Sequence, residues 1–148
     1  MRGLVTYTTR QLKTKEELVA VKDFLNEAGQ RLEEEYPEFP DWKNFNLPRY
    51  ANIARFVVSF RDGEPVGFMM SHMTESVFQQ DITILRQDIL YAKPNTRAAY
   101  HLMQDFLDFG HIHADHILTM IGARTNVKRQ SLEKLGFKKV EELYRIEV

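Results

Sequence analysis

The stretch His111-Ile112-His113-Ala114-Asp115-His116 sets three imidazoles and a carboxylate side by side in the chain. Imidazole nitrogens and carboxylate oxygens are ligands that zinc accepts, and such a set could supply most of a two-metal hydrolytic centre. Further ligands would be needed, and no histidine follows His116. Cysteine is absent, which removes thiolate ligands, disulfides and a cysteine nucleophile together. The stretch therefore reads as a histidine-rich polar connection between a helix and a strand. No metal is assigned, and a metallohydrolase is kept as the least favoured reading. Glu33, Glu34, Glu35 and Glu38 form a second chemical group. Such a run reads as a solvated helix end that mildly favours a cationic partner.

Elements must position any such residues, and the 148-residue chain is long enough for one domain with a core of its own. The reading is a single domain over 1–148. Lys and Arg number 20 against 21 Asp and Glu, so no global field draws the chain to nucleic acid. No apolar run approaches the ~20 residues that span a bilayer. Met1 to Lys15 is polar and lacks a signal-peptide core. A soluble cytoplasmic protein without nucleic-acid or membrane partners is expected.

Thr14 and Glu17 form a capping-box pattern, and Leu18, Val21, Phe24, Leu25, Ala28 and Leu32 follow with a helical period. Pro37, Pro40 and Pro48 break the next stretch, with a short helix expected around Trp42 to Phe45. Arg55 to Thr74 reads as a β-hairpin turning at Asp62-Gly63. A strand over Ile82 to Tyr91 follows. A helix over Thr96 to Phe109 comes next, with Gly110 as its C-cap. His116 to Ile121 has the length of a buried strand. Asn126 to Leu135 reads as a helix closed by Gly136, and Val140, Tyr144, Ile146 and Val148 as a last strand. A weak strand at Leu4 to Thr8 opens the chain. Strand, helix and strand from Ile82 to Ile121 predict a parallel crossover, and the hairpin predicts antiparallel neighbours.

Three segments in this order resemble the GNAT N-acetyltransferase superfamily. The hairpin Arg61-Asp62-Gly63-Glu64-Pro65-Val66-Gly67-Phe68 is similar to the family's central hairpin. Asp88-Ile89-Leu90-Tyr91-Ala92-Lys93-Pro94, with Arg97 and the helix after it, resembles its strand, turn and cofactor loop. Leu132-Glu133-Lys134-Leu135-Gly136-Phe137 matches the end of its last helix. Together they cover about Arg55 to Val148, and their flavour is that of small, glycine-poor, often phage-encoded members. The resemblance implies an α/β fold with a GNAT-like mixed central sheet. That sheet would join an antiparallel hairpin to parallel strands that splay, with helices on both faces.

The resemblance further implies acetyl-CoA, or another acyl-CoA, lying along Ile89, Leu90, Tyr91 and Ala92. The pyrophosphate would sit near Lys93, Arg97, Ala98, Ala99 and Tyr100. Asn126 would bond the pantetheine arm, or cap its helix. Tyr100 and Leu102 stand where the family's loop has glycines, so Lys93 and Arg97 would replace backbone contacts with side-chain charge. Asp88 is the candidate general base, with Gln87 on the opposite face by alternation. The family's tyrosine acid is Leu132 here, and Tyr144, or alternatively Tyr100, would substitute for it.

The function implied is direct acetyl transfer to a primary amine on a small molecule or peptide, in a homodimer by family habit. The alternative is a GNAT-fold protein that no longer catalyses, acting as a binding protein or a viral accessory or virion component. The missing glycines and the missing helix tyrosine support it. Met69, Met70 and Met73 and the aromatic stretch Tyr36 to Phe45 would form its contact surface. Strands zipped along their length, or an arm channel plugged by Tyr100, would defeat the transferase reading.

Overall fold

A computed structural model describes residues 3–35, 53–76, 79–120, 128–140 and 146. The strands are β1 (Tyr7–Gln11), β2 (Arg55–Arg61), β3 (Glu64–Glu75), β4 (Thr83–Ala92) and β5 (His116–Leu118). The helices are α1 (Lys15–Ala20), α2 (Lys22–Glu35), α3 (Ala98–His113) and α4 (Arg129–Lys134). The expected helix near Trp42, the helix start at Asn126 and the last strand around Tyr144 lie outside the described residues.

Among the described residues one mixed sheet runs in the order β1-β2-β3-β4-β5. The first three pairings are antiparallel and β4–β5 is parallel. The hairpin turns where expected, with φ 50° at Asp62 and 84° at Gly63. Two positive φ angles match the right-handed twist of the strands they join. Asp62 also fastens β1, because its carboxylate accepts from the Thr6 N–H at 2.9 Å.

Alternation divides the core between the two faces. Phe56, Val58, Phe68, Met70, Ile89 and Tyr91 meet Leu18, Val21, Phe24, Leu25, Ala28 and Leu32 of the first helical region. Val57, Val66, Met69, Leu85, Leu90 and Ala92 meet α3 and Leu132 of α4. The helical period therefore marks the packed face as expected, although the backbone breaks at Val21 into two helices. At the start of α1 the Thr14 hydroxyl accepts from Glu17 N–H, and the Glu17 carboxylate accepts from Thr14 N–H, both at 3.1 Å. Lys13 N–H also donates to that carboxylate, at 3.2 Å.

Two glycines seat α3 on the sheet. A Cβ on Gly67 would lie 2.8 Å from Ala98 Cβ and 3.0 Å from the Tyr91 carbonyl. A Cβ on Gly110 would lie 2.4 Å from Ile117 Cδ1 and 3.2 Å from Leu85 Cδ2. Gly110 is thus not the C-cap expected from sequence. The helix continues to His113 and is capped by Ala114, whose N–H reaches the Gly110 carbonyl. The glycine is there to let β5 approach. Gly136 does close α4, with φ 95° and Phe137 N–H bonded to the Leu132 carbonyl.

The first strand sits later than expected, over Tyr7–Gln11, since its alternate residues pair with β2. β5 is not the buried strand its apolar run suggested. His116 is exposed and Ile117 and Leu118 are half-buried, because among the described residues β4 is β5's sole strand neighbour.

Gly67→Ala should destabilise the protein by about 1–3 kcal/mol, the usual cost of overpacking, because backbone and helix must both move. Urea unfolding measures it, and an unchanged midpoint would mean α3 is not seated there. The capping box gives a pH dependence. The backbone donors of Lys13 and Thr14, then the Thr14 hydroxyl, hold Glu17 below its ordinary value of 4.5, with Arg10 adding attraction. A lowered folded value contributes stability that is present above the ordinary value and fades as pH falls through the folded one. Glu17→Ala is therefore expected to melt lower than wild type at about pH 7, by a gap that narrows as pH falls below the ordinary carboxylate value. A constant gap between the two melting curves would refute this.

Candidate functional site

The parallel ladder between β4 and β5 is short. It joins Ile84 to His116, Leu85 to Ile117 and Arg86 to Leu118, and then ends. β4 runs on to Ala92, still paired with β3, while Thr119 and Met120 leave the sheet. Every second peptide group of a strand faces each neighbour, and among the described residues β5 pairs with β4 no further than Arg86. Among those residues the two strands are not zipped along their length.

A cavity of about 990 Å³ lies against this divergence. Gln87, Ile117, Thr119, Leu132 and Phe137 contribute to its wall, with Arg86 and Arg129 adding positive charge. Gln87 is 1% exposed. Its Oε1 accepts from the Thr119 hydroxyl, while among the described residues Nε2 is buried without a hydrogen-bond partner. Turning the amide over would exchange the atoms and still leave one of them unpartnered. A buried amide group without a partner costs about 1–3 kcal/mol, so a ligand carbonyl or N–H in the cavity would relieve it.

β4 is also bulged here. Met70 pairs with Ile89 and Ser71 with Gln87, leaving Asp88 as the extra residue. Bulges re-aim side chains and recur beside active sites. Asp88 turns to the opposite side from Gln87, as alternation predicts, and its Oδ2 meets His72 Nδ1 at 2.8 Å. The sequence reading missed His72. The available signal was a polar residue two places beyond Met70, on a strand face that is otherwise apolar.

The loop from β4 into α3 is tied by its own groups. The Thr96 hydroxyl donates to the Lys93 carbonyl at 2.7 Å and receives the Ala98 N–H at 3.4 Å. Asn95 takes φ 61°. The Arg97 N–H donates to the Tyr7 hydroxyl at 3.0 Å, and the Tyr7 ring stacks on His101 at 4.7 Å. Burial, and then the Arg97 charge, hold His101 below the ordinary imidazole range, so it is neutral at physiological pH. Tyr7 and His101 were not singled out from sequence.

The remaining candidates divide by place. Arg97 lies over the Tyr100 ring at 5.1 Å. Tyr100 is 52% exposed and is absent from the cavity wall, so it does not plug it. Lys93 turns to α2, with Nζ 3.9 Å from Glu27 and 5.6 Å from the Phe24 ring centre. The side chains of Ile89, Leu90, Tyr91, Ala92 and Ala98 are buried in the core. Ala99 is half-buried. Asn126 and Tyr144 lie outside the described residues.

The histidine-rich stretch has a structural use. Asp115 accepts from Thr83 N–H at 2.8 Å and its own N–H donates to the Thr83 carbonyl at 2.9 Å, which fixes the start of β4 beside β5. His111 and His113 end α3, where positive charge is favourable, and His113 packs on Phe109 at 4.4 Å. Among the described residues no three His, Asp or Glu side chains gather as a metal site.

No protein-family model matches the chain, and no curated protein matches it in sequence. Solved structures do match in shape. One is an aminoglycoside acetyltransferase from an uncultured soil metagenomic sample, with TM-score 0.67, 17% identity, and 97% of this chain and 99% of that one covered. Another is the aminoglycoside N-acetyltransferase AAC(6')-Iy in complex with CoA, with TM-score 0.69, 13% identity, and 99% and 97% covered. A third is a ribosomal-protein-alanine N-acetyltransferase from Brucella melitensis biovar Abortus 2308, with TM-score 0.68, 13% identity, and 96% and 99% covered. The chain therefore has the GNAT fold, a mixed sheet flanked by helices.

Gln87→Met, close in volume, removes the unpartnered amide and should leave stability unchanged or raise it by about 1 kcal/mol. Thermal unfolding without ligand tests this, and a loss of about 2 kcal/mol or more would mean the amide is satisfied after all.

Proposed function

We propose that this protein is an acetyl-CoA-dependent N-acetyltransferase that passes the acetyl group directly to a primary amine. The observation that carries the reading is the divergence of β4 and β5 beside the buried, unpartnered amide of Gln87. A pantetheine arm is an extended chain with two amides, so it suits both a strand edge and a lone amide. When bound, acetyl-CoA supplies an acetyl thioester whose carbonyl carbon is the electrophile.

The chain's own residues would divide the work. The backbone of Ile89 to Ala92 holds the arm, and Gln87 takes one of its amide groups. Arg97 and the first amides of α3, at Ala98, Ala99 and Tyr100, face the phosphates. Lys93 is engaged with α2, so Arg97 carries most of the charge that replaces the loop glycines. Asp88 stands on the other face of the same strand, on the side from which an amine acceptor would enter. There it favours loss of the amine proton. The carbon–nitrogen bond forms, the carbon–sulfur bond breaks, and its electron pair leaves on sulfur. An ordinary thiol has a pKa near ~8.5, so thiolate departure does not require a strong acid. Tyr144 is the candidate for returning that proton. Acetyltransferases for an aminoglycoside and for ribosomal-protein alanine share the fold, which supports an amine acceptor on a small molecule or peptide.

A second reading has one observation in its favour. The Tyr7 hydroxyl already occupies the Arg97 N–H, at the end of α3 where phosphate would accept. A GNAT-fold binding protein without catalysis would be built this way.

Calorimetry separates the two. Acetyl-CoA should bind with a Kd between about 1 µM and 1 mM, the span of ordinary enzyme substrates. Gln87→Met should weaken binding by about tenfold, one hydrogen bond of ~1.4 kcal/mol. Thiol release from acetyl-CoA should then appear with at least one amine from a set containing sisomicin, spermidine and a peptide with N-terminal alanine. No heat at about 1 mM ligand would overturn the transferase reading.

A further inference from the structure

We infer that the proton acceptor of this site is His72, through Nε2, and that Asp88 is a positioning residue that fixes the imidazole's tautomer. The inference rests on the transferase reading for its role and on the geometry of two strands for its substance. His72 lies on β3 directly across from Arg86, the last β4 residue that β5 pairs with. Asp88 has no register partner on β3, because it is the bulged residue. Its carboxylate is thereby free to lean diagonally to His72, and Oδ2 reaches Nδ1 at 2.8 Å.

The chemistry of the pair follows from the donor inventory. An ionised carboxylate accepts and does not donate, so the proton between the two sits on Nδ1. A neutral imidazole with Nδ1–H keeps its lone pair on Nε2, the atom pointing away from the carboxylate. Among the described residues the Asp88 bond is the hydrogen bond His72 makes, which leaves Nε2 available. The imidazole is 37% exposed and the carboxylate 29%, so a solute can reach the ring while the carboxylate is partly shielded.

Residue type separates the roles as well. Imidazole is the side chain most often used as a general base, and a carboxylate hydrogen-bonded to its other nitrogen is the group that orients it. In the reaction the amine nitrogen forms the new bond to the acyl carbon while the bond to sulfur breaks. The amine proton goes to Nε2, and Asp88 steadies the imidazolium that results. A carboxylate behind an imidazole, behind an attacking group, is the general arrangement of oriented bases.

The test reads the tautomer and does not need a known acceptor. Long-range proton–nitrogen correlation spectra of 15N-labelled protein at about pH 8.5, where ordinary imidazoles are neutral, should show one histidine as the Nδ1–H form. Its signal should vanish in His72→Gln and change to the Nε2–H form in Asp88→Asn, a nearly isosteric variant. An Nε2–H form in the wild type, or the same form in both proteins, would overturn the inference. The kinetic arm uses whichever amine the wild type acetylates. His72→Ala should lose roughly a hundredfold in turnover, keep the wild-type calorimetric affinity for CoA, and recover in part with free imidazole. Undiminished turnover in His72→Ala would also overturn it. Failure of the wild type to bind acetyl-CoA would instead defeat the transferase reading, and the spectra would still decide whether the pair is an oriented base.

Discussion

A parallel pair of strands that stays together for three residues and then parts is an unusual expense in a small sheet. Buried backbone donors and acceptors are almost always satisfied, so the end of a ladder calls for another partner beside it. The rest of the domain is arranged to keep this opening in place. The β3 side of β4 is paired to Ala92, so β4 cannot bend away with β5. Asp115 clasps Thr83 at the closed end, which fixes where the two strands begin to separate. Leu132 and Phe137 pack with the α3-side core, and both contribute to the wall of the cavity beside β5.

Glycine use shows the same priority. The family resemblance implied glycines in the loop before α3, where this chain has none. Its close-packing glycines are instead Gly67, on β3 beneath the first turn of α3, and Gly110, on α3 itself against Ile117 of β5. The loop instead uses Thr96, Asn95 and the Tyr7 hydroxyl to hold its shape. Close seating of α3 therefore comes from one glycine on the sheet and one on the helix, and the loop before it is ordered by side chains. Arg55 adds to the seat, pairing with Asp105 at 2.5 Å and lying over Phe109 at 4.2 Å. An ion pair this shielded holds position more than it adds stability, since desolvation offsets much of its attraction.

Sequence revealed what is periodic or local. The capping box at Thr14, the packed face from Leu18 to Leu32, the Asp62-Gly63 turn and the Gly136 cap each depend on residues a few places apart. Properties that depend on distant partners were hidden. Gly110 looks like a helix stop until Ile117 is placed over it, and the apolar run at β5 looks buried until the sheet shows what covers it. The site follows the same rule. Asp88 and Gln87 could be picked out from the strand that carries them. His72, sixteen residues away on β3, could not, because the pairing depends on a bulge that no local pattern announces.

That bulge has a consequence for how one strand serves two tasks. Regular alternation already sends Gln87 and Asp88 to opposite faces. One extra residue then resets the phase, so that Ile89 and Tyr91 join the α2-side core while Leu90 and Ala92 join the α3 side. Without it Ile89 and Tyr91 would face the α3 side and Leu90 and Ala92 the α2 side, so each core would receive side chains of a different size. The register shift thus lets a polar pair sit at the mouth of the opening while the strand beyond stays fully packed. Gln87 faces Thr119 and the cavity, and Asp88 faces His72 across the sheet. Under the proposed function, ligand grip and proton handling would fall on the two faces of one strand.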